Sequence, residues 1–240
     1  MTRLDRALVE RGLAPSRARA QALIAAGAVT LDGQPVSKAS QTVPEEAALA
    51  VTEDPCPWVS RAGLKLDHAL TVFGLRPQGL ALDLGASTGG FTEVLLARGA
   101  ERVHAVDVGH GQMRAALAAD PRVTLHEGVN ARHLPVDLCP APDWVTADLS
   151  FISLKLGLPP ALAMARAGAT LVALIKPQFE AGPREVSRGG IVRDQATHRA
   201  VCEGIRDYIS EAGWSPVGLT ESPVLGGSGN AEFLIAARKG

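Results

Sequence analysis

The sequence predicts a doubly wound α/β domain that follows a smaller α+β domain. From residue 80 onward, short apolar runs alternate with helical patterns, which is typical of a parallel sheet with helices on both faces. A charged, proline-containing linker is expected at residues 53–59, between domains at 1–52 and 60–240. The chain has 240 residues, 46% of them hydrophobic, so it can build one large core and one small one.

Two helices and a hairpin are expected in the first domain. Residues 3–13 and 16–26 carry apolar side chains at helical spacing, and Ser16 and Gly27 are suited to begin and end the second helix. The Asp-Gly pair at 32–33 is a strong signal for a hairpin turn. The strands on either side of it are Ala28–Leu31 and Gln34–Val36.

Seven strands and four helices are expected in the second domain. The strands are Leu80–Leu84, Val103–Val108, Val123–His126, Trp144–Ala147, Thr170–Lys176, Ser215–Thr220 and Glu232–Ala237. The helices are Gly90–Arg98, Met113–Ala119, Pro160–Arg166 and an amphipathic helix that begins near Asp194. Because ligands of such sheets bind at the carboxyl ends of the strands, we expect the site at that edge.

Composition argues against several functional classes. The N-terminal residues lack the apolar segment of a secretion signal, and the most apolar long run, residues 154–175, contains Lys155, Arg166 and two adjacent prolines. The three cysteines are far apart, and the six histidines lack the spacing of metal ligands. We therefore expect a cytoplasmic protein with no membrane partner and no metal.

The first domain is basic, although the whole chain has a net charge of -1. A positive module in a slightly acidic chain is typical of a polyanion-binding protein, but a solvated helical face would explain the same charges. The segment resembles an S4 domain through Arg3-Leu4-Asp5, Gly12-Leu13, Ser16-Arg17, Asp32-Gly33 and Val36-x-Lys38. That resemblance implies a module that binds structured RNA by phosphate and shape. Its candidate RNA contacts are Arg3, Arg6, Arg17, Arg19 and Lys38.

A glycine-rich turn after the first strand predicts a nucleoside cofactor site. Asp107 lies 22 residues after Gly85, where a carboxylate can accept both ribose hydroxyls. This spacing also suits NAD, but Ser87 replaces the middle glycine of a dinucleotide fingerprint, and Asp83 could face a positively charged cofactor group. S-adenosylmethionine is therefore favoured; a turn without a ligand is the other interpretation. The candidate cofactor contacts are Asp83, Gly85, Ser87, Gly89, Gly90, Phe91, Asp107, Asn130 and Asp148.

Four polar residues, expected at strand ends or their flanks, form the candidate catalytic set: Lys65, Asp148, Lys176 and Glu232. A single lysine at a strand end is usually a solvated charge. Four such residues in a fold that gathers strand ends at one crevice favour a site.

The second domain resembles the FtsJ-like ribose 2′-O-methyltransferases, whose K-D-K-E tetrad matches these four residues. The matching blocks are SRAGLKLDHAL, LDLGASTGGFT, VDVGHGQ, TADLSFISL, LIKPQFEAG and GGIVRD. With its S4-like start, the chain resembles the TlyA family of haemolysin A-named rRNA cytidine-2′-O-methyltransferases. The resemblance implies a Rossmann-like S-adenosylmethionine methyltransferase sheet and a ribosomal RNA or ribosomal subunit partner. The expected target is a cytidine of 23S rRNA, with 16S rRNA left open.

One departure from the family concerns its Arg-x-Trp-Val linker motif, which here reads Cys56-Pro57-Trp58-Val59 and lacks the arginine. The linker's contribution to cofactor binding is therefore not carried over to this chain.

The resemblance suggests roles that suit methyl transfer to a ribose hydroxyl. Lys176 could act as the base if it is desolvated beside another cation such as Lys65. Asp148 could orient Lys176, and Glu232 could hold Lys65 or the ribose. In addition, Arg61, Arg184 and Arg188 are candidate RNA contacts; the last two belong to a loop interpreted as a phosphate-contacting lid or a plain solvated loop.

Two other functions remain open at this point. A nicotinamide-dependent oxidoreductase shares the fold but needs neither the S4-like domain nor the tetrad. A non-catalytic RNA-binding or haemolysin-like protein on a methyltransferase fold needs no tetrad either.

Overall fold

The computed structural model describes residues 2–25, 27–51, 56–187 and 189–240, without the side chains of Ala22 and Ala25. It divides the chain into two compact units, Met1–Pro57 and Trp58–Gly240. Residues 52–55 of the predicted boundary and linker lie outside the described residues, whereas Trp58 and Val59 belong to the second unit.

The first unit is a small α+β fold. Its helices are α1 (Leu4–Glu10) and α2 (Arg17–Ala25), and its strands are β1 (Thr2–Arg3), β2 (Val29–Leu31), β3 (Gln34–Pro35), β4 (Thr42–Val43) and β5 (Leu49–Val51). The strands form a three-stranded antiparallel sheet, in the order β3-β2-β5, and a β1-β4 pair. Leu4, Leu8, Leu23, Ile24 and Val29 fill its core.

Local sequence explains both features predicted for this unit. The Oγ of Ser16 accepts a hydrogen bond from the backbone N–H of Arg19 and so caps α2. Asp32 and Gly33 have φ values of 49° and 79°, the left-handed pair that a two-residue hairpin turn needs. The two helices and the hairpin are therefore confirmed. Strands β1, β4 and β5 were not predicted, because two or three residues are too few to show a period.

The second unit is a seven-stranded sheet flanked by helices. Its strands are β6 (Leu80–Leu84), β7 (Arg102–Asp107), β8 (Val123–Glu127), β9 (Trp144–Ala147), β10 (Thr170–Ile175), β11 (Trp214–Glu221) and β12 (Phe233–Lys239). Its helices are α3 (Arg61–Val72), α4 (Gly90–Ala97), α5 (Ala115–Ala118), α6 (Leu154–Gly157), α7 (Pro159–Met164), α8 (Pro177–Glu180) and α9 (Gln195–Glu211). The predicted doubly wound α/β architecture is confirmed.

The strand order is β11-β12-β10-β9-β6-β7-β8. Strands β6 to β10 are parallel, but β12 pairs antiparallel with both β10 and β11. The prediction of an all-parallel sheet is therefore wrong at β12, the strand next to the edge. The physical reason is that residues 222–232 join β11 to β12 without a crossover helix, and a direct connection gives antiparallel neighbours. From β6 the chain adds β7 and β8 on one side, and then returns to add β9 and β10 on the other side of β6. The boundary between β6 and β9 is therefore the topological switch point, where ligands of such sheets bind.

Helices cover both faces of the central strands. All six residues of β10 are buried, and its side chains alternate between two cores. Leu171 and Ile175 pack in the core that contains residues of α6, α7 and α9, whereas Val172 and Leu174 pack in the core that contains α3 and α4. A strand that is buried on both sides is expected to have a continuous run of apolar residues, and the sequence of β10 has one.

Helix α3 was not predicted, and it corrects the placement of Lys65. This lysine lies in the helix and not at a strand end or flank. Leu66, Ala69 and Leu70 recur at helical spacing and are buried against the sheet, so the period was visible in the sequence. Within the part of the chain that the structure describes, no helix combines the length and apolar character needed to cross a bilayer.

Leu158→Ala should lower the free energy of unfolding of the second unit by about 2–5 kcal/mol, because Leu158 is fully buried and its loss leaves a cavity. Leu156→Ala is the matched control, since that leucine is 54% exposed and should change the free energy by less than about 0.5 kcal/mol. The measurement is urea unfolding followed by tryptophan fluorescence. Its signal comes from the second unit alone, where all three tryptophans lie. Equal effects of the two variants would contradict the assigned core.

Candidate active site

The site is built where the turns after β6 and β9 meet. Gly85 has a φ of 78°, and a Cβ atom on it would lie 2.5 Å from the carbonyl oxygen of Asp148. The backbone N–H of Asp148 donates to the carbonyl of Leu84, and the N–H of Gly85 donates to that of Val106, each at 2.9 Å. Only glycine allows the two turns this close contact.

Two cavities open on these turns. One has a volume of about 300 Å³ and is lined by Lys65, Asp148 and Lys176 together with other residues. The other has a volume of about 490 Å³ and contains Asp107 and Asn130 in its wall. Both are lined by Gly85, Ser87, Asp148 and Ser150, so a ligand in one cavity lies next to a ligand in the other.

Asp107 is a charged residue in the wall of the larger cavity, which Arg132 and Asp148 also line. Its Oδ2 accepts a hydrogen bond from the N–H of Ser87 at 2.8 Å, and its Oδ1 accepts one from the N–H of Gly109 at 2.7 Å. These contacts hold the carboxylate in one orientation. Each oxygen has a further lone pair, so the group can still accept two hydroxyl donors.

The rest of the larger cavity is suited to a flat, mostly apolar group. Its wall includes Val108, which is 68% exposed, and Phe151, which is 90% exposed, with Val129 and Ile152 beside them. Asn130 lies in the same wall, and its Oδ1 accepts a hydrogen bond from the N–H of Arg132. Ligand pockets commonly have this mixture of apolar surface and a few fixed polar groups.

Asp83 lies beneath the glycine-rich turn and not in the described lining of either cavity. It is fully buried, and its two oxygens accept hydrogen bonds from Thr92 Oγ1 at 2.7 Å and Thr146 Oγ1 at 2.8 Å. Burial, with smaller contributions from Asp148 and Asp107, raises the pKa of Asp83 to about 6. The expected contact between Asp83 and a positive cofactor group is therefore corrected: the fully buried carboxylate supports the turn from behind.

The remaining predicted glycines bring the start of α4 close to its neighbours. Gly89 has a φ of 96° at the helix start, and a Cβ on Gly90 would overlap the hydroxyl of Ser60. Phe91 is buried and contributes to the wall of the smaller cavity. Glycine therefore permits the close packing of α4 with the segment before α3.

The four candidate catalytic residues form two ion pairs. Lys176 Nζ lies 2.5 Å from Asp148 Oδ1, and Lys65 Nζ lies 2.5 Å from Glu232 Oε2. All four side chains are at most 15% exposed. Glu232 reaches the smaller cavity through its contact with Lys65. Each lysine thus faces a carboxylate, and both lysines line the smaller cavity.

Two residues of the segment after Asp148 were missed as candidates. Ser150 Oγ accepts a hydrogen bond from Lys176 Nζ at 2.7 Å, and Ser150 lines both cavities. Phe151 has a φ of 63°, which is strained for an aromatic residue, and its ring centroid lies 5.2 Å from that of Phe179. An aromatic residue in the short polar segment after the strand, three positions beyond Asp148, was the signal that could have identified this position.

Family comparisons agree with this geometry. The sequence model of the FtsJ-like methyltransferase family matches residues 58–239. The chain belongs to this family. The S4 domain model matches residues 2–49, within the first unit.

Full-length relatives share both parts. The chain is 46% identical over 239 residues to the 16S/23S rRNA (cytidine-2'-O)-methyltransferase TlyA of Mycobacterium tuberculosis, and the match covers 98% of this chain and 89% of that protein. A solved structure of a hemolysin-named protein from Streptococcus thermophilus is 40% identical, with a TM-score of 0.79, and covers 99% of this chain and 88% of its own.

A more distant structure shows the fold alone. The N-methyltransferase NodS from Bradyrhizobium japonicum, solved with S-adenosyl-l-homocysteine, is 14% identical with a TM-score of 0.53. The match covers 78% of this chain and 89% of that one. The family model and the Mycobacterium tuberculosis relative are both named for methyl transfer, which favours a methyltransferase over the nicotinamide alternative.

The candidate RNA contacts fall into two groups. In the second unit, Arg61 lines the smaller cavity and Arg184 is exposed, whereas Arg188 lies outside the described residues. Asn230, also unpredicted, is buried and holds part of the arginine-containing loop: its Oδ1 accepts from the N–H of Val192, and its Nδ2 donates to the carbonyl of Gly190.

In the first unit, four arginines make polar contacts within their own unit. Arg3 and Arg17 contact Asp5, Arg6 contacts Glu10, and Arg19 donates to the carbonyl of Cys56. Lys38 is exposed. A basic residue can keep such a contact and still present N–H donors to a partner, because a guanidinium has several of them.

Asp83→Asn should remove a pH dependence from the stability of the second unit. Because the pKa of Asp83 is raised from 3.8 to about 6 in the folded state, the free energy of unfolding should fall as pH rises from about 4 to about 6 and stay low above it. The decline attributable to this group is about 3 kcal/mol. Urea unfolding, followed by tryptophan fluorescence across this range, should show the decline in the native protein and not in the variant. Parallel pH profiles would show that Asp83 is ionised normally.

Proposed function

We propose that the chain transfers a methyl group from S-adenosylmethionine to the ribose 2′-hydroxyl of a cytidine in ribosomal RNA. The observation that carries the proposal is the Lys176–Asp148 pair at the junction of the two cavities. Family membership supports methyl transfer, and the 46% identical relative is named for the same reaction on 16S and 23S rRNA.

The larger cavity fits the cofactor by its donor set. Asp107 would accept the ribose hydroxyls with its remaining lone pairs, and the apolar wall around Val108 and Ile152 would contact the adenine. Gly85 and Ser87 would bring the backbone close to the ligand, and Asn130 would border it. When bound, S-adenosylmethionine supplies an electrophilic methyl group on a sulfonium. Asp148 would place a negative charge beside that region.

Lys176 is the proposed base. A 2′-hydroxyl is a weak nucleophile at neutral pH, so removal of its proton during attack lowers the barrier. Asp148 and Ser150 occupy two directions around Nζ, which leaves the other directions for the substrate oxygen. In its neutral form Lys176 would take the proton of the ribose 2′-hydroxyl, and Asp148 would stabilise the resulting ammonium.

Lys65 and Glu232 are proposed to hold the ribose. Lys65 borders the smaller cavity and Glu232 is only 3% exposed, so the carboxylate fixes the ammonium in place. The remaining N–H donors of Lys65 can contact ribose or phosphate oxygens. The exposed ring of Phe151 offers a surface for the base of the target nucleotide. Positioning of this kind contributes directly to the rate.

The S4 match over residues 2–49 supports RNA binding by the first domain, and the FtsJ-like match over residues 58–239 supports the second as the methyltransferase domain. The proposed partner is ribosomal RNA or a ribosomal subunit in the cytoplasm. The first target to test is 23S rRNA, with 16S rRNA as the second.

The function is tested by incubating the purified protein with methyl-labelled S-adenosylmethionine and either 23S or 16S rRNA, alone and within ribosomal subunits. Nuclease digestion and mass spectrometry of the nucleosides should find the label in 2′-O-methylcytidine. Label on a base, label on another nucleoside, or no transfer to any of these substrates would contradict the proposal. The last result would favour the non-catalytic alternative.

Lys176→Ala should lower the single-turnover rate of methyl transfer by about 10²–10⁴ while RNA and cofactor affinities stay near their native values. Lys176→Arg should be similarly slow, because a guanidinium stays protonated and cannot accept the proton. Lys155→Ala, at an exposed lysine outside both cavities, is the control and should react at the native rate. Native turnover by the arginine variant would show that Lys176 supplies only positive charge.

A further inference from the structure

Asp5, in the first turn of α1, is fully buried and surrounded by donors from three side chains. Arg3 Nε and Nη2 lie 3.1 and 3.2 Å from its two oxygens, and Arg17 Nη2 and Gln21 Nε2 each lie 2.9 Å from Oδ2. The hydrogen bonds from Arg3, Gln21 and Arg17 hold the pKa of Asp5 well below its ordinary value. The group is therefore a carboxylate throughout the physiological pH range.

This carboxylate joins three elements of the first unit. Arg3 ends β1, Asp5 lies in α1, and Arg17 and Gln21 stand four positions apart on one face of α2. A buried charge is costly without partners, so the carboxylate restricts both arginines to directions in which they reach it.

Both guanidinium groups nevertheless stay accessible to a partner. The side chain of Arg3 is 48% exposed and that of Arg17 is 59% exposed. Arg17 contributes one Nη2 atom to the contact, and a guanidinium has further N–H donors. Two guanidiniums around one carboxylate also leave a net positive charge. Such fixed, planar sets of donors match phosphate oxygens.

Two other arginines of the same unit are held differently. Arg6 pairs with Glu10 one helical turn away, and these side chains are 68% and 48% exposed, so each remains free to move. Arg11 donates to three backbone carbonyls of residues 44–47 and closes that turn. The Arg3–Asp5–Arg17 cluster differs from both because a buried anion holds two exposed cations together.

We propose that Asp5 is a positioning residue for RNA binding: its carboxylate holds Arg3 and Arg17 as a rigid pair that binds neighbouring phosphates of a structured RNA. The inference rests on the proposed function, in which the first unit binds RNA. Arginines fixed in advance lose less conformational entropy on binding than free ones. Net charge alone would predict that removing the negative charge of Asp5 strengthens binding to a polyanion. The proposal predicts the opposite, that removing it weakens binding.

The test measures binding of the full-length protein to a 23S rRNA transcript at salt concentrations of about 50 and 200 mM. Arg17→Lys keeps the charge but loses the planar donors that reach Asp5 and a phosphate together, so affinity should fall about ten-fold. Arg206→Lys makes the same change in the exposed Arg206–Asp207 pair of the second unit, which is not among the candidate RNA contacts, and should stay within about two-fold of the native affinity.

A second pair of variants separates position from charge. Asp5→Asn and Glu10→Gln each raise the net charge by one. The first should weaken binding about ten-fold, and the second should leave it unchanged or tighten it. Thermal unfolding followed by circular dichroism shows whether each variant is folded. If Asp5→Asn unfolds the first unit, the Arg17→Lys comparison decides, since that change is at an exposed side chain.

Losses confined to the Asp5 and Arg17 variants support the inference. Equal affinities for Arg17→Lys and Arg206→Lys overturn it, as does tighter binding by a folded Asp5→Asn protein. If the native protein binds the transcript without salt dependence, or not at all, the proposed RNA-binding function fails as well, so the two failures are distinguishable.

Discussion

The contact between the turns after β6 and β9 is the constraint on which the rest of the site depends. A side chain at Gly85 would collide with the carbonyl oxygen of Asp148, so the two turns can meet only as bare backbone. This contact places Asp148 in the wall of both cavities. It also explains why one carboxylate can line the larger cavity and still pair with Lys176. A wider separation would leave two unrelated pockets.

Charge pairing is the second constraint, because four ionisable side chains of low exposure must be neutralised together. Lys65 on α3 and Glu232 before β12 are 167 positions apart in the chain, and only the folded domain brings them within 2.5 Å. Buried ion pairs add little net stability, since desolvation offsets most of their attraction. A positional role explains the two pairs better than a gain in stability does, because each carboxylate fixes an ammonium group at the cavity. The same device recurs at Asp5, where a buried anion fixes two exposed cations.

Much of the fold could be predicted from the sequence, because the spacing of apolar residues along the chain indicates both buried strands and helices. The strands around Gly85, Asp107 and Asp148 were expected close to their observed bounds. Such local patterns do not show, however, which side chains contact each other in the folded protein. The sequence could not show that Asp83 accepts two threonine hydroxyls beneath the turn, or that Ser150 contacts Lys176. The antiparallel edge was missed for the same reason: period 2 reports a strand but not its direction.

The central claim is that the two cavities form one reaction site, with the cofactor in the larger and the RNA ribose in the smaller. A crystal structure of the protein with S-adenosyl-l-homocysteine tests it most directly. The account predicts ribose hydroxyls within hydrogen-bonding distance of Asp107 and a thioether sulfur that faces the cavity of Lys176 and Asp148. A nucleoside bound away from Asp107, or a sulfur directed away from Lys176, would contradict it.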